Sequence, residues 1–287
     1  MVGESLQKIL ITGAGGMVGS YVDFGIKTDI DTLDVSDLNA VKKAFKKYKP
    51  EIILHLAADT DVDRCEREPE RTYKINTIGT YNIAVMARHF NTEMVYISTA
   101  GVFDGRKKEP YTEEDIPNPQ NVHWRTKFLG EIIIKDIMPR FLIVRAGWMF
   151  GGGPQKDKKF VAKIIRQLNL PEIKAVSDII GSPTFAKDLI EGIKILLKEK
   201  KVGLYHLPNK GIASRYDIAC EIVKIVGAST KVIPVSSSYF NLDAPRVASE
   251  AMCSKIDIMR PWQEALKEYL LTEWKDYYRS EIAKSQK

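Results

Sequence analysis

The chain has 287 residues, 44% hydrophobic and 28% charged, with 43 Lys and Arg against 37 Asp and Glu for a net charge of +6. That length supports one large domain or two lobes around a substantial core, and no stretch reaches the roughly 20 apolar residues of a membrane-spanning helix. The positive excess is modest and dispersed, unlike the dense basic stripe of a nucleic-acid binder; it suits an acidic small substrate such as a nucleotide diphosphate, or simply a lysine-rich solvated surface.

In chain order, residues Met1 to Lys8 lack the apolar core of a secretory signal. A short apolar strand, Ile9 to Ile11, then runs into Gly13-Ala-Gly-Gly-Met-Val-Gly19. A glycine-rich turn between a strand and a helix, here a short one expected from about Gly16 and truncated by the few residues between Gly19 and Asp29, gathers backbone N–H groups and the positive end of a helix dipole, which suits a pyrophosphate. The same turn also serves packing alone. The spacing Gly-x-x-Gly-x-x-Gly differs from the commoner Gly-x-Gly-x-x-Gly. Next come Glu51–Leu56 as a strand, a helix around Pro69–Phe90, a strand Glu93–Ser98, a helix Val122–Asp136 and a strand Arg140–Arg145. Continuous apolar strands alternating with helices indicate a parallel sheet covered on both faces, an α/β doubly wound (Rossmann-like) arrangement with ligands at the C-terminal strand ends.

After Trp148 the rhythm changes at Gly151-Gly-Gly-Pro154. Leu204–Leu207 and Lys231–Val235 read as short strands flanking a helix near Tyr216–Val226, and Leu266–Ile282 as a terminal amphipathic helix. The expected division is a nucleotide-binding domain over residues 1–150, with about 172–200 returning to it, and a smaller C-terminal lobe over 151–171 and 201–287. Cys65, Cys220 and Cys253 are far apart and odd in number, and the four histidines lack ligand spacing, so neither a disulfide framework nor a metal site is expected. The expectation is a reduced, cytoplasmic protein.

Several blocks in order resemble the extended short-chain dehydrogenase/reductases that act on nucleotide sugars, most of all the dTDP-4-dehydrorhamnose reductases. They include the glycine loop, Leu33-Asp-Val-Ser-Asp37, His55-Leu-Ala-Ala58, Thr60-Asp-Val-Asp63, Asn76 before Gly79, Ile97 to Gly105, Arg125 to Glu131, Val144 to Trp148, Gly181 to Thr184 and Gly203 to His206. The resemblance implies reduction of a 4-keto-6-deoxy nucleotide sugar by NADPH or NADH, in nucleotide-sugar and polysaccharide biosynthesis. It assigns Gly13, Gly16, Met17, Val18 and Gly19 to the coenzyme pyrophosphate, Asp34 and Val35 to the adenine, and Ala57 and Ala58 to the path beneath the ribose and nicotinamide. Thr99 matches the hydroxyl that hydrogen-bonds the sugar carbonyl, Lys127 the lysine that binds the ribose and supplies positive charge, and Trp148 an aromatic packed against the hexose, or else a core aromatic. Lys156, Lys158 and Lys159 suit either the substrate's diphosphate or plain loop exposure, and Arg246 suits a bidentate clamp on that diphosphate. Asp29 is the best match to the acid that binds the adenine ribose, favouring NADH by repelling a 2′-phosphate; it equally suits a turn cap, and Lys27 pulls the other way.

One departure matters. The family pattern is Tyr-x-x-x-Lys, and the matching residues here are His123-Trp-Arg-Thr-Lys127. The phenol that donates a proton to the substrate is absent. An imidazolium is a competent acid near neutral pH, but Lys127 one turn away disfavours the protonated form, and imidazole is shorter than phenol. Ala100 and Gly101 also stand where the family commonly has Asp-Tyr. The resemblance therefore leaves three readings: a reductase in which His123 or a water it holds replaces the phenol, a coenzyme-binding regulatory or scaffold subunit, and a related nucleotide-sugar epimerase. The expected partner is a nucleotide-diphosphate sugar, with no nucleic acid or membrane, and a homodimer is left open.

Overall fold

A computed structural model describes residues 8–285; residues 1–7, read above as lacking a leader's apolar core, lie outside the described residues. The strands are β1 (Ile9–Thr12), β2 (Ile26–Lys27), β3 (Ile52–His55), β4 (Glu93–Thr99), β5 (Phe141–Ala146), β6 (Trp148–Phe150), β7 (Glu172–Val176), β8 (Ile180–Gly181), β9 (Pro183–Phe185), β10 (Gly203–His206), β11 (Ala213–Ser214), β12 (Lys231–Val235) and β13 (Ser249–Glu250). Six form one sheet in the order β10-β5-β4-β3-β1-β2, with every pair parallel. Ile9, Leu10 and Ile11 are fully buried, as a strand covered by helices on both faces requires. The order steps from β1 to β2 on one side and then to β3 on the other. That reversal opens a crevice at the C-terminal ends of β1 and β3, the place where open parallel sheets bind ligands.

The helices obey local rules. Leu38–Tyr48 starts at Asp37, whose carboxylate accepts from Asn39 N, and stops at Lys49 in the left-handed region, φ 43°. It buries Val41, Ala44 and Phe45 and turns its lysines outward. Val122–Ile137 is capped by Asn121, whose Oδ1 accepts from Trp124 N at 3.0 Å. Its buried stripe of His123, Lys127, Glu131 and Ile134 recurs at three- and four-residue steps. Gly130 permits the close approach to β4: a Cβ there would lie 2.3 Å from the Tyr96 hydroxyl.

The short, truncated helix expected from Gly16 is a three-residue 3₁₀ turn, Gly19–Tyr21, because the chain must return as β2 by Ile26. Two placements depart from the sequence reading. Gly203–His206, expected in the smaller lobe, is the sixth strand of the large sheet, paired with β5. Within 172–200, the helix Ala186–Lys198 packs Leu189, Ile190, Ile193 and Leu196 into the large sheet's core, whereas β7 pairs with β12. Strand periodicity shows which residues are buried, not which sheet they join. The helix around Pro69–Phe90 is present but carries a π-turn at Tyr73–Ile78. The terminal helix is two, Trp262–Glu273 and Lys275–Ser285. The smaller lobe has its own core, built on Phe150, Ile165, Phe185, Tyr269 and Trp274. Among the described residues no helix is long and apolar enough to cross a membrane.

Candidate active site

The glycine loop is shaped by close contacts. Gly13 has φ +68°, and a Cβ on it would lie 2.6 Å from Ala57 N. A Cβ on Gly19 would lie 2.4 Å from Ala14 O. Gly15 and Gly16 are exposed, and Met17 and Val18 half-buried. Gly16 N donates to Gly13 O, whereas, among the described residues, the N–H groups of Gly15, Met17 and Val18 have no acceptor. A turn that packs its glycines against the next strand and leaves three amides unspent fits a pyrophosphate. A single 3₁₀ turn supplies little dipole, so these amides and nearby cations must do that work.

Lys156, weighed above for the substrate, reaches the glycine loop instead, its Nζ 2.5 Å from Gly15 O. Tyr21 ties the same regions together by donating to Glu273 at 2.7 Å and accepting from Gly152 N at 2.6 Å. Asp29 lies just past β2, its Oδ2 so near Gly15 that a Cβ there would be 1.9 Å away. Its Oδ1 accepts from Ile30 N at 2.8 Å, so the residue shapes its turn and faces the loop at once. Asp34 Oδ1 accepts from Ser36 N at 2.8 Å. Val35 is buried against Gly79, with its carbonyl held by Asn82 Nδ2 at 3.0 Å. Ala57 and Ala58 follow β3 and are half-buried.

Below the loop runs a buried hydrogen-bonded chain. Thr12 Oγ1 and His55 Nδ1 are 2.7 Å apart, and His55 Nε2 and Thr80 Oγ1 are 3.2 Å apart. Thr80 donates to Asn76 O at 2.6 Å, so it accepts from His55 Nε2–H, and Nδ1 accepts from Thr12. Burial, reinforced by Lys127, pushes His55 down to about 3, which matches this neutral ring. Asn76 Nδ2 donates to Asp59 O and to Thr126 Oγ1 at 3.0 and 3.1 Å, and its Oδ1 accepts from Asp59 N at 2.7 Å. Asp59 in turn pairs with Arg64 and Arg71. The glycine loop and the helix Val122–Ile137 are thus joined through one polar network, with the π-turn presenting Asn76 to it.

Thr99 ends β4, and its Oγ1 accepts from Gly101 N at 3.1 Å. Gly101 lies under the Trp124 indole, where a Cβ would be 2.1 Å from Nε1. The bulk missing at residue 101 is therefore supplied from the helix. His123 is 8% exposed and neither ring nitrogen has a partner. Burial first, then the charge of Lys127, pushes it down to about 3, so it is neutral at physiological pH. Burial and Lys127 thus both work against the imidazolium form considered from sequence.

Lys127, 7% exposed, sits with Nζ 4.0 Å above the Tyr96 ring. Glu131, one turn on, is spent on Arg145 at 2.8 and 2.7 Å and on Ser98 at 2.6 Å. Lacking a carboxylate of its own, Lys127 is pushed by burial down to about 7, with Glu131 opposing. Tyr111, a conceivable substitute phenol, is stacked on Phe103 at 4.1 Å and donates to Asp104 at 2.9 Å, a structural role.

The remaining candidates lie on the smaller lobe's side. Trp148 is 8% exposed, and its Nε1 donates to Glu250 at 2.9 Å. Gly181 backs the ring and the Arg215 guanidinium covers it at 3.7 Å, so it is packed rather than open. Arg246 pairs with Asp63 at 2.9 Å. Lys158 is exposed, whereas Lys159 donates to Thr60 O at 2.7 Å. Asp61 caps the helix Val62–Arg67. Sequence reasoning passed over Arg215; its signal was a cation placed at the start of a helix, against the macrodipole.

The family model of the RmlD substrate binding domain matches residues 7–274. The chain belongs to this family. It is 34% identical over 278 residues to the spore coat polysaccharide biosynthesis protein SpsK of Bacillus subtilis, covering 92% of this chain and 97% of that protein. A dTDP-4-dehydrorhamnose reductase of Clostridium acetobutylicum superposes with a TM-score of 0.88 at 38% identity, over 91% of this chain and 98% of that one. The dTDP-4-dehydrorhamnose reductase of Bacillus anthracis, solved in complex with NADP, gives a TM-score of 0.88 at 32% identity, over 92% of this chain and 99% of that one. The resemblance to the extended short-chain dehydrogenase/reductases, most of all the dTDP-4-dehydrorhamnose reductases, and the doubly wound, Rossmann-like fold both stand. The two reductases are oxidoreductases by name, and each likeness covers more than nine-tenths of this chain.

Proposed function

We propose that this chain reduces a keto group of a nucleotide-diphosphate sugar with NADH or NADPH, and that Lys127 takes over the proton transfer of the missing phenol. The observation that supports this reading is that His123, one helical turn from Lys127, is buried with neither ring nitrogen hydrogen-bonded among the described residues, and that Lys127 is buried without a carboxylate partner among them. The loop Gly13–Gly19 holds the coenzyme pyrophosphate through the amides of Gly15, Met17 and Val18, with Gly16 leaving room and Lys156 beside it. Asp29, Asp34, Val35, Ala57 and Ala58 line its adenosine and ribose path. The bound coenzyme supplies a hydride to the carbonyl carbon. Thr99 and neutral His123 hydrogen-bond the carbonyl oxygen, directly or through a water, and the Lys127 ammonium gives the proton that the oxygen gains. Such a donor works best when its pKa lies near the working pH, and Lys127 meets that condition. Arg246 and Lys158 stand on the substrate side, toward its diphosphate.

The test is coenzyme oxidation by the purified protein with dTDP-4-dehydrorhamnose. Reduction is expected, falling as pH rises through about 7 as Lys127 loses its proton. Lys127→Met should lose about 10²–10⁴-fold in kcat, and His123→Ala about 10–100-fold, the worth of a hydrogen bond to a developing charge, with coenzyme binding kept in the latter. Unchanged turnover in His123→Ala removes that residue from the assignment. The missing phenol favours a second reading, a coenzyme-binding subunit without reductase chemistry; coenzyme binding with no oxidation across keto nucleotide sugars would establish it.

A further inference from the structure

Arg215 opens the helix Arg215–Val226, where Ser214 and Asp217 form a reciprocal capping box. Its guanidinium stacks on the Trp148 ring at 3.7 Å and lies 4.9 Å from the Phe160 ring. Two aromatic rings fix the plane of the group and leave its N–H edge as the polar surface. Among the described residues no hydrogen-bond or ion-pair acceptor meets that edge, although the side chain is only half-exposed. The nearest carboxylate influence, buried Glu250, is hydrogen-bonded to Trp148 Nε1.

A cation in the first turn of a helix works against the macrodipole, and burial adds to that cost. The helix end itself is already served by Ser214 and Asp217, so what stays open is the guanidinium edge, which, held flat by aromatic rings, is poised for an oxyanion. The surroundings agree. The charge of Arg246 is felt at both Arg215 and His123, and that of Lys159 at His123. Asp63 pairs with Arg246, Asp61 and Asp157 act on Lys159, and Glu250 acts on Arg215 without a hydrogen bond to it among the described residues.

We infer that Arg215 is an oxyanion-binding residue of the substrate pocket, gripping a phosphate of the nucleotide diphosphate bidentately from its seat on Trp148. The inference rests on the keto nucleotide-sugar reading above and adds to it an anchor on the smaller lobe. It also gives Trp148 a task, as the platform that orients the guanidinium.

The experiment is calorimetric titration of the full chain with dTDP, UDP and thymidine, for the wild type, Arg215→Met and Arg215→Lys, each checked by NADH and NADPH titration. The wild type should bind a nucleoside diphosphate far better than thymidine. Arg215→Met should weaken the diphosphate about 10–100-fold, Arg215→Lys should recover only part because it lacks the planar fork, and coenzyme affinity should not change. Diphosphate binding that is equal in the wild type and Arg215→Met overturns the role of Arg215 and leaves the reductase reading intact. A wild type that binds coenzyme but neither diphosphate overturns the nucleotide-sugar reading, and this inference with it.

Discussion

Asp29 shows how one side chain meets two demands at once. Its Oδ1 closes a local turn by accepting from Ile30 N at 2.8 Å, while its Oδ2 lies against Gly15. A carboxylate at the end of the second strand hydrogen-bonds a ribose 2′-hydroxyl and repels a 2′-phosphate. NADH should therefore bind more tightly than NADPH, and Asp29→Ser should move the ratio of dissociation constants about tenfold or more toward NADPH, read by fluorescence titration. Tighter NADPH binding by the wild type would take the selecting role from Asp29. The sequence alone left Asp29 open between cap and ligand because both need the same residue type; the fold shows the turn bond and the placement of Oδ2 against the glycine loop. His123 and Lys127 were legible as a pair from their spacing. Their protonation was not, because it depends on how completely helix and sheet exclude water and on where Glu131 spends its charge.

At the scale of elements, the helix Val122–Ile137 and the glycine loop are connected through Asn76, which the π-turn Tyr73–Ile78 presents to the buried network. Asn76 is 1% exposed and serves Asp59 N, Asp59 O and Thr126 Oγ1. Asn76→Ala strands those groups without water, which costs about 2–4 kcal/mol and should lower Tm clearly in calorimetry. A Tm equal to that of the wild type would show that the network carries no stability. The helix boundaries, caps and apolar faces could be read from Asn121, Asp37 and the 3.6-residue stripes. The π-turn could not, since the extra residue leaves the apolar pattern readable as one helix from Pro69 to Phe90. The truncated first helix was foreshadowed by the few residues between Gly19 and Asp29. Its consequence, that amides and Lys156 replace a helix dipole, needed the fold.

For the whole molecule, the run of buried strands was enough to give the parallel doubly wound sheet, and with it the crevice between β1 and β3. The assignment of Gly203–His206 to that sheet was hidden, because a short strand of mixed polarity reads the same at a sheet edge as in a small lobe. Contacts between the lobes were hidden for a related reason: Tyr21 with Glu273, Lys156 with Gly15, and Arg246 with Asp63 join residues far apart in sequence. Together they tie later segments of the chain to the glycine loop and to the helix Val62–Arg67. In the proposed reaction, hydride transfer to a keto sugar takes place in this cleft. Incubating the protein with C4-deuterated NADH or NADPH and dTDP-4-dehydrorhamnose, followed by mass spectrometry of the sugar, tests it most directly. The account predicts a sugar heavier by one deuterium, carried at the former carbonyl carbon; a bound coenzyme that keeps its deuterium while keto nucleotide sugars are recovered unchanged would contradict it.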